Sequence, residues 1–322
     1  MTTTLKPVAP ARPRRSSTAG RRGGGVRALR RRETRSGYAF LALWLIGFFG
    51  LTVGPMIASL YLAFTDFNLF DSPHWLGLDN FRALATDPRY LHSVQITLIY
   101  VFVGTPIKLA AALAVAVLLN VSFKGVGFYR SAFFAPSLVG ASVSIAVVWR
   151  SLFSSSGTVV GIQESLGIDI GPWAGNPDLT MPMMILLAIW TFGSPMVIFL
   201  AGLKQIPKEL YEAASVDGAG PVSRFFRIGL PSLTPVIFFN LLIEVINAFQ
   251  VFTSAYIIGG STGAPAGSTA FYTVYLYMRG FTDFRMGYAS AMAWVLTVVV
   301  GIVALLLFKT SKSWVYYAGD DR

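Results

Sequence analysis

Residues 206–235 read IPKELYEAASVDGAGPVSRFFRIGLPSLTP, an amphipathic stretch that lies between two long apolar segments. Pro207 suits the first turn of a helix, and good helix formers follow it. Gly218 can adopt the positive φ that ends a helix, and Pro221 discourages continuation of the same helix. A second amphipathic piece then leads to Pro231. The stretch therefore predicts a helix, a turn and a second helix.

The composition outside this stretch points to a membrane protein. Of the 322 residues, 54% are hydrophobic and 13% are charged, and the mean hydropathy is +0.60. This apolar excess is larger than a water-soluble domain carries. With no cysteine and two histidines, the chain has no disulfide framework, thiolate metal site or cysteine nucleophile, and too few histidines for a histidine-based metal cluster.

The positive charge of the chain is concentrated at its N-terminus. Residues 1–36 carry eleven basic residues and one acidic residue, so they hold +10 of the net charge of +11. This segment is rich in Arg, Ser, Gly and Pro and nearly lacks large apolar residues. We expect a disordered basic tail that keeps the N-terminus in the cytoplasm and touches anionic membrane lipid.

Long apolar runs after the tail predict membrane-spanning helices, because about 20 apolar residues are needed to cross the hydrocarbon core. The runs are continuous and lack the period-two alternation of a membrane barrel. The prediction is an all-α membrane protein with six transmembrane helices, at roughly 38–64, 93–120, 128–150, 181–203, 232–257 and 287–308.

The distribution of Lys and Arg predicts the orientation of these spans. The tail, the 121–130 turn, the 204–231 loop and the end of the chain are basic, whereas the 65–92 and 151–180 loops are mainly acidic. Basic loops stay in the cytoplasm. We therefore expect both termini to be cytoplasmic, with a transmembrane domain over 37–312, a cytoplasmic loop at 204–231 and a short cytoplasmic end at 313–322. The 258–286 loop is placed outside mainly because successive loops alternate between the two sides of the membrane.

Polar side chains recur along one face of the predicted fifth span. They are Asn240, Glu244, Asn247, Gln250 and Ser254. Polar groups within a membrane are costly unless they are paired or face water. Two interpretations stay open, since such a stripe can hold neighbouring helices together or line a path for a polar solute. Our hypothesis is that Glu244 and Asn247 line the path, with Asn240 and Gln250 as further candidate path residues.

A lone cation and two helix-breaking sequences mark the other spans. Lys108 lies near the middle of the second span, at a cost of roughly 2.5–3.5 kcal/mol on insertion scales. Pairing with Glu244 would offset part of that cost, but the sequence cannot place the two together. Thr105-Pro106 and Gly193-Ser194-Pro195 predict local kinks or unwinding, as hinges for a conformational change or as fixed bends that improve packing.

The opening stretch resembles the EAA motif of ABC-importer permeases, which docks as a coupling helix into a cleft on the nucleotide-binding subunit. The matching positions are Glu212, Ala213, Ala214, Asp217, Gly218, Ala219, Ile228, Leu230 and Pro231. Four further runs resemble the sugar-uptake branch, which contains maltose and glycerol-3-phosphate transporter subunits: WLGLDNFRAL at 75–84, FLAGLKQIP at 199–207, AFQVFTSAYIIGG at 248–260 and GYASAMAWVL at 287–296. The chain departs from the family after Gly260, where GGSTGAPAGST replaces a common Gly-Gly-Pro run.

The resemblance implies a permease subunit of an ATP-driven importer of a sugar or sugar-like solute, in a bacterial plasma (inner) membrane. Its partners would be a second, similar permease subunit, two ATP-binding cassette subunits and an extracellular solute-binding protein. ATP and Mg would be bound by the cassette subunits, because the chain lacks a G-x-x-x-x-G-K-[ST] phosphate loop and is expected to be non-catalytic. An ion-coupled secondary carrier, with Glu244 and Lys108 as coupling groups, is the alternative. Such a carrier has no need of an ATPase-docking helix.

Overall fold

The computed structural model describes residues 37–38, 40–121, 124–140, 142–168 and 170–316. The predicted N-terminal tail at 1–36 and most of the predicted C-terminal end lie outside these residues. Helices dominate the described part, which contains no strand beyond an isolated antiparallel bridge between Thr65 and Trp75. The predicted all-helical fold is confirmed there.

Fourteen helices of the described residues are labelled here in chain order. They are α1 (Phe40–Leu62), α2 (Asp79–Thr86), α3 (Pro88–Leu118), α4 (Val126–Val139), α5 (Val143–Leu152), α6 (Thr158–Ser165), α7 (Pro177–Trp190), α8 (Gly193–Gln205), α9 (Lys208–Val216), α10 (Pro221–Arg224), α11 (Thr234–Phe249), α12 (Thr253–Gly259), α13 (Tyr272–Tyr277) and α14 (Met286–Trp314). Segments with π-helical hydrogen bonding lie within α1 and α3 and after α10 and α13, at Phe49–Val53, Tyr100–Gly104, Phe225–Gly229 and Met278–Thr282.

The described residues hold four stretches long and apolar enough to cross a membrane without a sharp bend: α1, α3, α14, and α11 with α12. The predicted third and fourth spans are instead pairs of helices, bent by 101° between α4 and α5 and by 45° between α7 and α8. The described chain therefore has up to six spans if each bent pair counts as one.

The prediction of one continuous helix over 128–150 is wrong, and a helix cap explains why. Ser142 Oγ accepts a hydrogen bond from the backbone N–H of Ile145 at 3.3 Å, which is the N-cap geometry that begins a new helix. Gly140 ends α4 in tight contact with α7, since an added Cβ would lie 2.1 Å from Thr191 Cγ2. Continuing α4 as a straight helix would forfeit the Ser142 cap.

The predicted distortions at the two proline sequences are confirmed. The π segment of α3 ends immediately before Thr105-Pro106, where Pro106 has no N–H to donate to the preceding turn. The bend between α7 and α8 lies just before Gly193-Ser194-Pro195. An added Cβ on Gly193 would lie 2.6 Å from the Phe133 carbonyl oxygen, so the glycine also permits close packing on α4. Whether either distortion moves during transport stays a hypothesis.

Buried side chains form three clusters within residues 60–316. The first centres on Val101, Met183 and Phe271, the second joins α3 to α8 through Ala112 and Phe199, and the third surrounds tyrosines of α3, α13 and α14. Small residues in such seams let helix backbones approach closely. Large apolar side chains stay exposed on the other faces of α3 and α14, as they do along α1. Faces of this kind suit hydrocarbon rather than water.

Candidate functional site

The loop at 204–231, called here the EAA loop, forms the predicted helix, turn and helix. Helix α9 ends at Val216, Asp217 is its C-cap residue, and Gly218 follows with φ +79°. The N–H of Gly218 donates to the Ser215 carbonyl at 3.1 Å, and the N–H of Ala219 donates to the Ala214 carbonyl at 2.9 Å. These two bonds are the Schellman arrangement, which satisfies the last carbonyls of a helix. Local backbone chemistry thus sets the turn.

The two halves of the EAA loop pack on each other through a contact that sequence reasoning missed. Gly229 is buried, and a Cβ added there would lie 3.0 Å from Tyr211 Oη and 3.3 Å from the Phe225 ring. Burial raises the pKa of Tyr211 above its ordinary value. Tyr211 of α9 therefore rests against the second half of the loop, and a small residue at Gly229 makes room for it.

The EAA-like positions divide between an outward and an inward group. Glu212, Ala213, Asp217 and Gly218 are exposed, and Ala214, Ala219, Ile228, Leu230 and Pro231 are half-buried. Within the described residues, neither Glu212 nor Asp217 forms an ion pair. Both carboxylates are thus available to a partner.

The EAA loop also exposes large apolar side chains. The exposed fractions are 87% for Val216, 70% for Val222 and 59% for Phe226. Sequence reasoning treated Val216 as a helix former and did not foresee its exposure. An apolar patch beside unpaired charge is typical of a protein-docking surface.

A cavity of about 510 Å³ lies between α3, α4, α7, α8, α11 and α12. All four residues predicted for the substrate path line it, together with the ion pair described next and several hydroxyl and aromatic side chains. The lining includes Thr105, Lys108, Thr191, Ser194, Phe239, Asn240, Glu244, Asn247, Gln250, Phe252 and Ser254. A cavity of this size can hold a small organic solute.

Lys108 and Glu244 meet in this cavity. Lys108 Nζ donates to Glu244 Oε2 at 2.8 Å, and the two side chains are 15% and 13% exposed. The pairing that the sequence left open is therefore made. Each charge compensates the other where solvation is limited, and the pair connects α3 to α11 across the cavity wall.

The polar stripe is not one continuous helical face, which corrects the prediction for the fifth span. Helix α11 ends at Phe249, residues 250–252 leave the helix, and α12 begins at Thr253. Thr273 Oγ1 donates to the carbonyl of Val251 at the break. The N–H groups of Val251 and Phe252 find no acceptor within the described part of the chain.

The predicted path residues therefore differ in what they can offer a solute. Asn240 is 3% exposed, and its Nδ2 donates to the Val236 carbonyl at 3.0 Å. Asn247 and Gln250 are exposed and make no side-chain hydrogen bond among the described residues. Free amide groups at Asn247 and Gln250 can both donate and accept.

Aromatic rings beside the helix break were not singled out from the sequence. Phe252 lines the cavity and stacks on Tyr256, with ring centroids 5.3 Å apart and planes inclined by 23°. Tyr277 packs against both rings, at 5.3 Å and 5.4 Å. A signal was present, since Phe252 and Tyr256 are four residues apart, but it was indistinguishable from a packed helix face.

A second polar cluster, also missed, joins the start of α3 to α13 and α14. Asp87 caps α3 by accepting the N–H of Arg89 at 3.0 Å. Its Oδ2 accepts the hydroxyls of Tyr275 at 2.6 Å and Tyr288 at 2.7 Å, and Arg279 Nη2 lies 3.4 Å away. Partial burial acts to raise the pKa of Asp87, but these hydrogen bonds outweigh it and hold the pKa at about 2.

Comparison with known proteins agrees with these features. Residues 88–316 match the family described as "Binding-protein-dependent transport system inner membrane component". The chain is 49% identical over 307 residues to "Probable ABC transporter permease protein YesP" of Bacillus subtilis (strain 168), covering 93% of this chain and 99% of that protein.

Two further relatives carry names that state a solute. "Arabinooligosaccharides transport system permease protein AraP" of Bacillus subtilis (strain 168) is 32% identical, with 86% of this chain and 88% of the relative covered. "sn-glycerol-3-phosphate transport system permease protein UgpA" of Escherichia coli O157:H7 is also 32% identical, with 76% and 83% covered.

The fold has a counterpart among solved structures. It is similar to a chain in the "Crystal structure of a bacterial ABC transporter involved in the import of the acidic polysaccharide alginate", with a TM-score of 0.77, 24% identity and coverage of 87% of this chain and 96% of that chain. The family match, the extended similarity to YesP and the shared fold lead to one conclusion: this chain belongs to the ABC-transporter permease family of binding-protein-dependent transport system inner membrane components.

Proposed function

We propose that the chain is the membrane-spanning permease subunit of an ATP-driven importer and forms half of the path for a sugar or sugar-like solute. The observation that carries this proposal is the cavity of about 510 Å³, whose polar lining lies among apolar helices. Amides, hydroxyls and a carboxylate match the donors and acceptors of a polyhydroxylated solute. The names of the relatives AraP and UgpA, which specify arabinooligosaccharides and sn-glycerol-3-phosphate, support a solute of this class.

The residues proposed to contact the solute are Asn247 and Gln250, with Glu244 held in place by Lys108. Asn240 contributes to the wall rather than to binding, because its amide N–H already bonds within α11. The ring of Phe252 offers an apolar face beside the amides, and sugar rings present both apolar C–H faces and hydroxyl edges. The cavity thus suits both parts of a sugar.

The EAA loop is proposed to couple this path to ATP hydrolysis by separate cassette subunits. Glu212 and Asp217 would meet cations of the ATPase partner, and the exposed Val216 and Phe226 would become buried against it. A loop that transmits motion from the ATPase partner to the spans must be rigid. The Schellman turn and the Tyr211 contact would make the EAA loop rigid. The chain itself would be non-catalytic.

The complete assembly is proposed to contain a second, similar permease, two cassette subunits that bind ATP and Mg, and an extracellular solute-binding protein. The family name specifies binding-protein dependence. We further propose six spans with both termini in the cytoplasm, as the basic loops predict. The segment 37–312 would be the permease domain and residues 1–36 a cytoplasmic tail near anionic lipid.

Uptake into proteoliposomes that contain the complete transporter tests the proposal. Radiolabelled oligosaccharides are added with the solute-binding protein, and ATP is either enclosed or omitted. We expect uptake that requires ATP and the binding protein and that persists when an ionophore removes proton and sodium gradients. Uptake that needs an ion gradient but no ATP would instead establish the ion-coupled carrier.

A further inference from the structure

A second cavity, separate from the path, lies at the ends of four helices. It has a volume of about 830 Å³ and lies between the end of α3, the start of α4, the end of α8 and the start of α9. Four cations line it, and no acidic side chain does. This basic cluster consists of Lys124, Arg130, Lys204 and Lys208.

The charges of the basic cluster are not neutralised by any residue in the described part of the chain. None of the four makes an ion pair within the described residues. Arg130 Nη2 donates to the Leu119 carbonyl at 2.8 Å, which fixes the guanidinium against the end of α3. Its Nε is buried and has no hydrogen-bond partner among the described residues. A buried donor without an acceptor is costly, so the cluster favours an anion that supplies oxygen atoms.

Neutral groups complete the cavity wall. Asn120 contributes an amide, and Tyr211 of the EAA loop contributes a phenol. A phosphate group carries several acceptor oxygens and can be bound by several Lys and Arg side chains together. Cations at four points around one cavity therefore suit a phosphate better than a single carboxylate.

The residues around the cavity favour a position at the depth of lipid headgroups. Leu118 ends α3 with 72% of its surface exposed, and Phe128 in the first turn of α4 is 75% exposed. Both helices carry apolar faces suited to hydrocarbon, and the basic cluster lies where those faces end. Basic pockets between membrane helices are known to hold anionic headgroups.

We propose that the basic cluster binds a phosphate group, carried by an anionic phospholipid headgroup or free in solution. Bound there, the phosphate would connect α4 and α8 to α9, because Lys208 and Tyr211 belong to the helix of the EAA loop. Anion binding would thus act on the position of that helix. This inference concerns a different cavity from the solute path and does not depend on the identity of the solute.

Native mass spectrometry of the full chain in detergent micelles tests the site, with phosphatidylglycerol as the probe and phosphatidylcholine as the neutral lipid. We expect Lys204→Gln/Lys208→Gln to weaken binding of the first phosphatidylglycerol by about tenfold or more, since each cation near a membrane surface contributes about 1 kcal/mol. Lys204→Arg/Lys208→Arg, which keeps both charges, should bind as the native chain does. Thermal unfolding of each variant checks that the fold is retained.

The matched control is Arg227→Gln/Lys309→Gln, which removes two exposed cations outside the cavity. Its affinity for the first phosphatidylglycerol should lie within about twofold of that of the native chain. Displacement of the lipid by inorganic phosphate at millimolar concentration would support the site and identify free phosphate as an occupant, whereas lipid that resists displacement would identify the headgroup.

Two outcomes would overturn the proposal. One is equal weakening by the control and by Lys204→Gln/Lys208→Gln, which would indicate attraction to general surface charge. The other is unchanged lipid binding combined with loss of assembly with the cassette subunits, which would assign the basic cluster to acidic side chains of a protein partner.

Discussion

The ion pair between Lys108 and Glu244 should be sensitive to a single substitution, because both side chains are poorly solvated. Glu244→Gln would leave the ammonium of Lys108 without its carboxylate in a site where its side chain is 15% exposed. We expect a loss of about 3 kcal/mol in stability and a loss of ATP-driven uptake, because an unpaired charge in a poorly solvated site is strongly destabilising. Thermal unfolding of the purified chain and proteoliposome uptake measure the two effects.

Asn247→Ala is the matched control for stability at the same cavity. Its side chain is exposed and makes no hydrogen bond within the described residues, so we expect native stability with reduced uptake. The charge exchange Lys108→Glu/Glu244→Lys should recover much of the lost stability. Native stability and uptake in Glu244→Gln would contradict the assigned role.

Gly218 controls the turn of the EAA loop through its backbone alone. Its φ is +79°, and no atom lies within 4 Å of where a Cβ would be. Gly218→Val would therefore meet no steric clash beyond its own backbone, and the left-handed conformation would cost roughly 1–2 kcal/mol. We expect the Schellman turn to shift and ATP hydrolysis to become partly uncoupled from uptake, as measured by the ratio of ATP consumed to solute imported.

Gly220→Ala provides the comparison, since Gly220 has φ −69° and open space around it. It should couple ATP to uptake normally. An unchanged ratio in Gly218→Val would show that the turn does not transmit the motion.

Single residues also show where sequence reasoning succeeds and fails. The turn at Gly218 was predictable because its signal is contained in neighbouring residues. The pairing of Lys108 with Glu244 was not, because the two are 136 positions apart. The break at 250–252 contains neither Gly nor Pro, so nothing local distinguishes it from the flanking helix.

At the scale of elements, the two exposed carboxylates of helix α9 are expected to differ in importance. Glu209 and Glu212 lie one turn apart and are both exposed, but only Glu212 belongs to the EAA-like motif. We expect Glu212→Lys to leave the chain inserted while ATP hydrolysis no longer drives transport, because a contact with a partner cation becomes repulsive. The measurement is uptake together with ATPase activity in the assembled transporter.

Glu209→Lys makes the same change of charge on the same helix and should have a much smaller effect. If Glu212→Lys transported normally, or if both variants failed equally, the specific docking role of Glu212 would be lost.

The Asp87 cluster connects α3, α13 and α14 and should make their packing sensitive to acid. The pKa of Asp87 is about 2 in the folded chain against an ordinary 3.8. Its ionised form is therefore favoured by folding, and this stabilisation is present above pH 3.8 and is lost as the pH falls towards 2. We expect the unfolding temperature of the native chain to fall over this interval.

Asp87→Asn should have a lower unfolding temperature than the native chain at neutral pH. Its unfolding temperature should also fall less on acidification. Asp79→Asn serves as the control, because the carboxylate of Asp79 is 60% exposed in its pair with Arg82. Its acid profile should match that of the native chain. If the unfolding temperature of Asp87→Asn fell with pH as steeply as that of the native chain, Asp87 would be excluded as the source of the acid sensitivity.

Element boundaries were predictable only where the apolar signal was unbroken. The second span was expected from 93 but begins at Pro88, because Asp87 caps the helix and a proline at the first position is compatible with helix formation. The first turn of α3 is polar, so a hydropathy average along the sequence does not count it as part of the span. The bend after α4 coincides with a close contact between Gly140 and Thr191, which a window along one segment cannot detect.

At the scale of the whole molecule, the basic loops predict the direction of insertion proposed above. The native chain has no cysteine, so one introduced thiol is the only reactive site. Val216→Cys and Phe70→Cys place it at positions that are 87% and 75% exposed. We expect a membrane-impermeant maleimide to label Phe70→Cys in intact cells and Val216→Cys only in inverted vesicles. The reverse pattern would invert the proposed topology.

The gap between α11 and α12 would allow the transporter to recognise a solute through backbone groups rather than side chains. The N–H groups of Val251 and Phe252 have no acceptor in the described part of the chain, and both residues line the cavity. A solute hydroxyl could bond to them whatever side chains stand there. Selectivity for polyhydroxylated cargo would then persist as the surrounding sequence diverges, while the side chains adjust which member of that class fits.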